Sequence, residues 1–264
     1  MARRLLPALA WALLPAAPFI FAVGSGAPEP QRAPVVVELY TSEGCSSCPP
    51  ADALLSELER TQPVPGALII PLEEHVDYWN HDGWRDPFSS EEITARQTLY
   101  ARRLGVSGPY TPQMVVAGGT DVVGSASRDA IAAIAAAAQA PRAEMILSVS
   151  VAGSPPHDSL RATMSSNPVP GDAPEPADIV LVIAEDGLAS NVSAGENSGR
   201  HLEHRAVLRR LIRVGHIDPG QSFFTIKETP IASGWKRENL RAVVFLEGTA
   251  SGKIFGAATA SVGH

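Results

Sequence analysis

The stretch that most constrains the fold is a short apolar run followed by a closely spaced pair of cysteines. The run VVVEL at residues 35–39 is typical of a strand buried on both faces. A turn-rich segment then leads to Cys45 and Cys48, the chain's only cysteines. Pro49 and Pro50 are tolerated only in the first turn of a helix, because their missing N–H groups would be unpaired there anyway. The sequence therefore predicts a strand, a loop and a helix, with the cysteine pair at the helix start.

Strand and helix patterns continue to alternate through the first half of the chain. They predict a strand at 67–76, a capped helix at 89–105, a hairpin around Gly118-Gly119 and an Ala-rich helix at 127–140. Such alternation favours parallel pairing through crossovers, and the hairpin adds antiparallel edge strands. We expect an α/β domain at residues 33–141.

Residues 142–264 instead carry short β-rich runs separated by Gly, Pro, Asn and Asp. Asp186-Gly187 has the composition of a hairpin turn. The segment 201–215 is compatible with a strand or a helix, and we favour a strand. This half is predicted to form an antiparallel β-sandwich-like domain.

The N-terminal segment is typical of an export signal. Arg3 and Arg4 precede an uncharged apolar run from Leu5 to Val23, and small residues follow. We therefore expect residues 1–27 to be a signal peptide and the mature chain to be periplasmic or secreted, where disulfides persist. No stable membrane insertion is expected after signal removal. A retained anchor is the alternative, because the apolar run approaches the ~20 residues that span a bilayer.

The charge balance argues against nucleic-acid binding. The chain has 21 basic and 28 acidic residues, a net charge of −7, whereas nucleic-acid binding needs a basic footprint. The sequence has no phosphate loop, Gly-x-Ser-x-Gly elbow or zinc-protease helix, so hydrolase activity is not favoured. We expect no cofactor.

Three kinds of chemistry are open to Cys45 and Cys48. A helix N-terminus favours a thiolate and can lower a cysteine pKa from about 8.5 to about 3.5–7.5. In thiol–disulfide exchange, Cys45 would be the exposed nucleophile and Cys48 the resolving thiol. A purely structural disulfide over so short a loop would contribute only roughly 2 kcal/mol. Metal binding would need two further ligands, for which His75, Asp77 and His81 are candidates.

Two further segments concentrate polar and aromatic side chains. In EEHVDYWNHDGWRDPF, we interpret Trp79 and Trp84 as substrate contacts around the cysteine pair; the alternative is that they complete the core. GENSGRHLEHRAVLRRLIR is rich in Arg and carries His201 and His204. It could bind an anionic group or the first domain, but we favour a charged strand face. Histidines three apart suit a helix better than a strand for sharing one metal.

The segments ELYTSEGCSSCPPAD, PLEEHVDYWNHDGWRDPFSS and YTPQMVVAG resemble a bacterial family of exported thioredoxin-like proteins, the domain of unknown function number 1223. The likeness continues through GENSGRHLEH and IFGAAT. It implies a thioredoxin-like fold for residues 33–141. It also implies that Pro112 is cis and lies against the cysteines as part of the catalytic site, with Thr111 and Tyr110 beside it contacting substrate.

The sequence also departs from thioredoxins. Gly44 replaces the tryptophan before the first cysteine, and Ser46-Ser47 replaces Gly-Pro between the two. The buried acid of thioredoxins has no counterpart in the same register, which leaves Glu38 or Glu43 as a possible proton acceptor. The direction of electron flow therefore stays open.

Together these features favour an exported thiol–disulfide oxidoreductase-like protein. Cys45 would attack the disulfide of a protein or small-thiol substrate, and Cys48 would resolve the mixed disulfide. One alternative is a metal-binding or metal-chaperone module that uses the same cysteines with His75 or His81. The other is a non-catalytic thioredoxin-like binding protein.

Overall fold

The computed structural model describes residues 32–81, 83–154, 157–168 and 175–262. The predicted signal peptide at residues 1–27 lies outside these ranges. Within them the chain forms thirteen strands, three α-helices and one short 3-10 helix. None of the described helices is both long and apolar enough to cross a membrane.

The first half of the chain contains four strands and all three described α-helices. They are β1 (Ala33–Thr41), α1 (Pro49–Thr61), β2 (Ala67–His75), α2 (Glu91–Arg103), β3 (Gln113–Val116), β4 (Thr120–Val123) and α3 (Ser127–Ala137). The local patterns explain them: Ser90, for example, caps α2 by accepting a hydrogen bond from the Ile93 N–H. The predicted succession of elements in this half is confirmed.

The regular elements described in the second half are strands and one short 3-10 helix. Its elements are β5 (Met145–Ala152), β6 (Ser159–Ser166), β7 (Ala177–Glu185), β8 (Leu188–Asn191), β9 (His201–His204), β10 (Val207–Ile217), β11 (Phe223–Pro230), a 3-10 helix (Arg237–Asn239), β12 (Leu240–Gly248) and β13 (Ile254–Ser261). The preference for strand at 201–215 is confirmed.

Strands from both halves join one mixed sheet of eight, in the order β13-β12-β7-β10-β2-β1-β3-β4. The β1–β2 and β2–β10 pairs are parallel, and the other neighbours are antiparallel. A three-stranded sheet (β11-β6-β5) and the β8–β9 pair complete the strands. The predicted α/β thioredoxin-like domain followed by an antiparallel β-sandwich-like domain is therefore wrong. The chain is mostly β, and strands assigned to a separate sandwich instead join the large sheet through the pairing of β10 with β2.

Helices pack on both faces of the large sheet. On one face, α1 and α3 pack on Val37, Leu39 and other apolar side chains of the first half. On the opposite face, Tyr100 of α2 packs in a core with Tyr40 of β1 and Phe245 of β12. This second core contains side chains from both halves. The predicted boundary at residues 141 and 142 lies in the connection between α3 and β5, while the sheet continues across it.

The junction of the two halves within the sheet is narrow. Strand β10 pairs with β2 only at Val207 and Glu73, next to a hydrogen bond from the Glu73 N–H to the Ala206 carbonyl (2.9 Å). Because β1 and β2 are parallel, their carboxyl ends lie at the same edge of the sheet. Open sheets with parallel strands bind their ligands at this edge. The candidate site lies at this edge.

Candidate functional site

The cysteine pair lies where β1 gives way to α1. Cys45 and Cys48 form a disulfide with their Cα atoms 5.5 Å apart, and Cys48 is the N-cap residue of α1. Ser46 and Ser47 form the exposed tip of the turn, and the Ser47 hydroxyl lies 3.3 Å from the Cys45 sulfur. The expectation that Cys45 is exposed is wrong, since both cysteines are 0 % exposed.

A segment from the second half of the chain holds the cysteine turn in place. Residues 192–200, between β8 and β9, bring Asn197 into the interior, where its amide nitrogen donates to the carbonyls of Glu43 and Cys45 (both 2.9 Å). The exposed Glu196 carboxylate accepts a hydrogen bond from the Ser46 N–H (2.9 Å). These contacts explain the burial of Cys45, because they place the 192–200 segment directly against the turn.

Two of the predicted substrate-binding residues meet beside this turn. The Trp79 indole N–H donates to the Thr111 hydroxyl (2.8 Å), and both side chains are half-buried. A Cβ added to Gly44 would lie 3.0 Å from the Trp79 Cβ, so the glycine allows the tryptophan to approach the loop. The aromatic residue that precedes the cysteine in thioredoxins is thus absent from that chain position, but Trp79 packs against it.

The other predicted residues differ in their distance from the cysteines. The Thr111-Pro112 peptide bond is cis, as the resemblance implied, and Pro112 and Ala51 of α1 both pack on Gly124. Trp84 reaches the site through its indole N–H, which donates to the Glu43 carboxylate (2.8 Å). Tyr110 points elsewhere, since its hydroxyl donates to Asp121 on β4. This geometry does not support the assignment of Tyr110 as a substrate contact.

Behind the cysteine turn lies a continuous buried chain of carboxylates and imidazoles. Its contacts are Asp86 Oδ2 to His75 Nδ1 (2.7 Å), His75 Nε2 to Glu73 Oε1 (3.2 Å), Glu73 Oε1 to His204 Nδ1 (2.6 Å) and His204 Nε2 to Glu43 Oε1 (3.0 Å). The Glu43 N–H also donates to Asp86 Oδ2 (2.9 Å), which closes the chain into a ring. We call these five residues the acid–imidazole ring. It joins the end of β2 to the segment after β1 and to β9.

The charges at the centre of the acid–imidazole ring support one another. Burial opposes ionisation of Glu73, His75 and His204, but the hydrogen bonds and charges of the neighbours outweigh it. The pKa of Glu73 falls to about 2 because His204 and His75 bond to its carboxylate. Its partners move in the opposite direction: bonds to Glu43 and Glu73 raise the pKa of His204 to about 9, and Asp86 raises the pKa of His75 well above its usual value.

Asp52 lies apart from the acid–imidazole ring, in the first turn of α1. Its carboxylate accepts a hydrogen bond from the Thr41 hydroxyl (2.7 Å). Burial, and then the negative charge of Glu73, raise the pKa of Asp52 to about 7. A protonatable carboxyl group therefore lies one helical turn beyond Cys48.

The sequence-based candidates for proton acceptor and metal ligand separate in the structure. Glu43 belongs to the acid–imidazole ring, whereas Glu38 lies on the opposite sheet face, bonded to Arg96 and to the Tyr100 hydroxyl. Asp77 accepts a hydrogen bond from Thr94 of α2 (2.6 Å). Among the described residues, Glu73, His75 and His204 converge as potential metal ligands.

Sequence reasoning missed Glu73, Asp52 and Asn197. The signal for Glu73 was its position two residues before His75, because alternate residues of a strand share a face. Asp52 follows Cys48 by four residues, which is one helical turn. Nothing local marks Asn197, because its role depends on contacts with residues more than 150 positions away.

Comparison with known proteins places this architecture in a wider group. The family model described as "Protein of unknown function (DUF1223)" matches residues 36–247. A crystal structure from Agrobacterium tumefaciens is similar at 29% identity, covering 87% of this chain and 94% of that protein, with a TM-score of 0.65. HBP35 of Porphyromonas gingivalis, at 17% identity, covers 88% and 76% with a TM-score of 0.66, and shows the fold alone. Among curated proteins, none matches the chain.

Proposed function

We propose that this chain, which belongs to the DUF1223 family of proteins of unknown function, exchanges disulfides with thiol-containing substrates through Cys45 and Cys48. The observation that carries the proposal is the position of the pair. The chain's only two cysteines form a disulfide at the start of a helix, where Cys48 is the N-cap residue. The dipole of the helix N-terminus stabilises a thiolate there once the disulfide is reduced.

The exchange proceeds in two displacement steps. In the reducing direction, the Cys45 thiolate attacks one sulfur of a substrate disulfide, forms a mixed disulfide and releases the other substrate sulfur as a thiolate. The Cys48 thiolate then attacks the Cys45 sulfur and releases the second substrate thiolate. Two electrons pass from the cysteine pair to the substrate, and an external dithiol restores the reduced pair. The same steps in reverse oxidise a substrate dithiol.

The burial of both sulfurs bears on the class of substrate. A partner reaches them only after the turn at Ser46 and Ser47 moves away from Glu196 and Asn197. A protein substrate that binds the exposed turn and the half-buried Trp79 and Trp84 gains contacts that offset this movement, whereas a small disulfide does not. The proposed substrate is therefore a protein disulfide or dithiol. The predicted export of the chain suits this role, because protein disulfides persist outside the cytoplasm.

A redox titration of the pair tests the proposal. The purified protein is equilibrated in glutathione buffers of defined ratio, with a catalytic amount of a protein oxidoreductase to speed exchange, until the number of trapped free thiols no longer changes. We expect a reversible two-electron transition, and we expect Cys48→Ser to accumulate a mixed disulfide with a model protein substrate. Ser47→Ala, which keeps both sulfurs, is the matched control for changes in the turn itself.

Two results would contradict the proposal. The first is a pair that stays oxidised in every accessible buffer, which would indicate a structural disulfide. The second is full exchange activity in Cys45→Ser, because the first displacement needs that sulfur.

A further inference from the structure

We infer that Glu73, His75 and His204 form a binding site for a divalent transition metal ion with the ligand preference of Zn²⁺. One carboxylate oxygen and two imidazole nitrogens of these residues all lie within 4.8 Å of one another. All three side chains are buried, and they come from two strands that are far apart in the chain, β2 and β9. This site uses neither cysteine, so it is independent of the proposed disulfide exchange.

The distances between the donor atoms are close to those that an ion requires. Glu73 Oε1 lies 2.6 Å from His204 Nδ1 and 3.2 Å from His75 Nε2. A tetrahedral zinc ion with bonds of about 2.0–2.1 Å holds its ligand atoms about 3.3 Å apart. Side-chain shifts on the order of 1 Å would therefore bring all three atoms to bonding distance.

The outer contacts of the two histidines are those of metal ligands. The nitrogen of each imidazole that faces away from Glu73 contacts a carboxylate: His75 Nδ1 contacts Asp86 (2.7 Å), and His204 Nε2 contacts Glu43 (3.0 Å). Histidines that bind metals almost always donate their second ring N–H to a carboxylate, carbonyl or water, which fixes the tautomer and the ring orientation. Both inner nitrogens thus face Glu73 Oε1, and a bound ion would replace the protons that join them to this oxygen.

The remaining oxygens of the ligand and support carboxylates are also positioned. Glu73 Oε2 accepts a hydrogen bond from the Arg205 N–H (3.0 Å), which leaves Oε1 to face the imidazoles. Asp86 is held in turn by the backbone N–H groups of Glu43 and Phe88 (both 2.9 Å). Three buried carboxylates surround two imidazoles, an excess of negative charge that attracts a cation.

One of the three ligands also lines a cavity beside β9. His204 lines a cavity of about 410 Å³, together with Glu203, Arg205 and residues of the β7–β8 turn. An ion held by three protein ligands keeps a fourth position for water or another ligand. Two imidazoles with one carboxylate suit zinc and related ions, whereas Ca²⁺ and Mg²⁺ prefer oxygen ligands.

The test is metal binding by the chelator-stripped, disulfide-bonded protein. Calorimetric titration with ZnCl₂ should show one equivalent, and CoCl₂ should give the visible absorption of a nitrogen- and oxygen-ligated ion without thiolate charge transfer. Glu73→Gln and His204→Gln should each weaken zinc binding at least tenfold. His201→Gln, an exposed histidine on the same strand, is the matched control and should bind as the wild type does.

Two further measurements keep the inference separable from folding defects and from the cysteines. Zinc binding should persist in the Cys45→Ser, Cys48→Ser double variant, whatever the outcome of the redox titration. X-ray absorption at the zinc edge of the wild type should show imidazole and oxygen ligands. This measurement uses the wild type alone, so it does not depend on whether any variant folds. Failure of the wild type to bind zinc, a sulfur ligand, or unchanged affinity in both ligand variants would overturn the inference.

Discussion

Replacing Asp52 by asparagine should make the stability of the protein less dependent on pH. Asp52 is buried in the first turn of α1, and its pKa is raised from 3.8 to about 7, by burial first and by Glu73 second. Below pH 3.8 the carboxyl group is neutral in both the folded and the unfolded chain. Between pH 3.8 and 7 the folded chain alone retains the proton, so the stability contributed by this group decreases as the pH rises through that interval.

The magnitude follows from the difference between the two pKa values. They differ by about 3, and each pKa unit corresponds to about 1.4 kcal/mol, so ionisation of Asp52 should cost about 4 kcal/mol above pH 7. The amide of the Asp52→Asn variant cannot ionise, and it keeps an oxygen that accepts from Thr41. Its additional N–H₂ group must find partners, which should lower the stability at about pH 4 by about 1 kcal/mol.

Urea unfolding followed by tryptophan fluorescence measures the effect. At about pH 4, Asp52→Asn should be about 1 kcal/mol less stable than the wild type. At about pH 8.5 it should be more stable by roughly 3 kcal/mol, which raises the urea midpoint by about 1–2 M for a slope of about 2 kcal/mol/M. Asp129→Asn, an exposed first-turn residue of α3, is the control. A stability difference that is the same at both pH values would refute the reasoning.

Three further predictions concern stability at fixed pH. Asn197→Ala removes two buried hydrogen bonds to the cysteine turn. It should destabilise the protein by about 2 kcal/mol and speed reduction of the disulfide by dithiothreitol. An unchanged reduction rate would contradict the role assigned to Asn197. Arg96→Met leaves buried carboxylates without their cation and should cost about 3–5 kcal/mol in urea unfolding. Arg60→Met, in an exposed pair, should cost less than about 1 kcal/mol; equal effects would contradict the argument. Gly118→Ala would place its Cβ 1.9 Å from a carbonyl oxygen of the β12–β13 loop and should destabilise by about 3 kcal/mol or more. Gly66→Ala, with a similar φ but nothing within 4 Å, should cost about 1 kcal/mol; a Gly118 variant no worse than this would exclude the clash.

The elements of the fold could be predicted because their signals are local. Apolar runs, the Ser90 cap and the Gly118-Gly119 turn act within a few residues, and the structure has the expected strands and helices at those positions. The pairing of β2 with β10 could not be predicted in this way. It joins Glu73 of β2 to Val207 of β10, and the sequence of β10 alone is equally compatible with a strand of a separate sandwich. The resemblance favoured a thioredoxin-like first half and the β-rich runs favoured a sandwich-like second half, and the shared sheet contradicts that fold class.

The candidate site divides along the same line. The sequence pointed to Trp79 and Thr111 but did not predict the hydrogen bond between them. The cysteine pair and the cis proline are encoded in short motifs. The acid–imidazole ring is not, because His75 and His204 belong to different halves. On β9, alternation places His204 inward and His201 outward, so one of the two histidines set aside as a charged strand face became a central residue of the site.

The contacts that bury the cysteine turn also determine when it can be buried during folding. The disulfide closes between residues only 3 apart, whereas Asn197 reaches Glu43 and Cys45 across 154 and 152 residues, and His204 reaches Glu73 across 131. Contacts of such separation form late, because the chain must first close long loops. We therefore expect the turn to stay open to oxidants and thiols until the chain has folded. Docking of β9 and the segment before it then closes access to the sulfurs, so completion of the fold sets the end of the period in which the pair reacts freely.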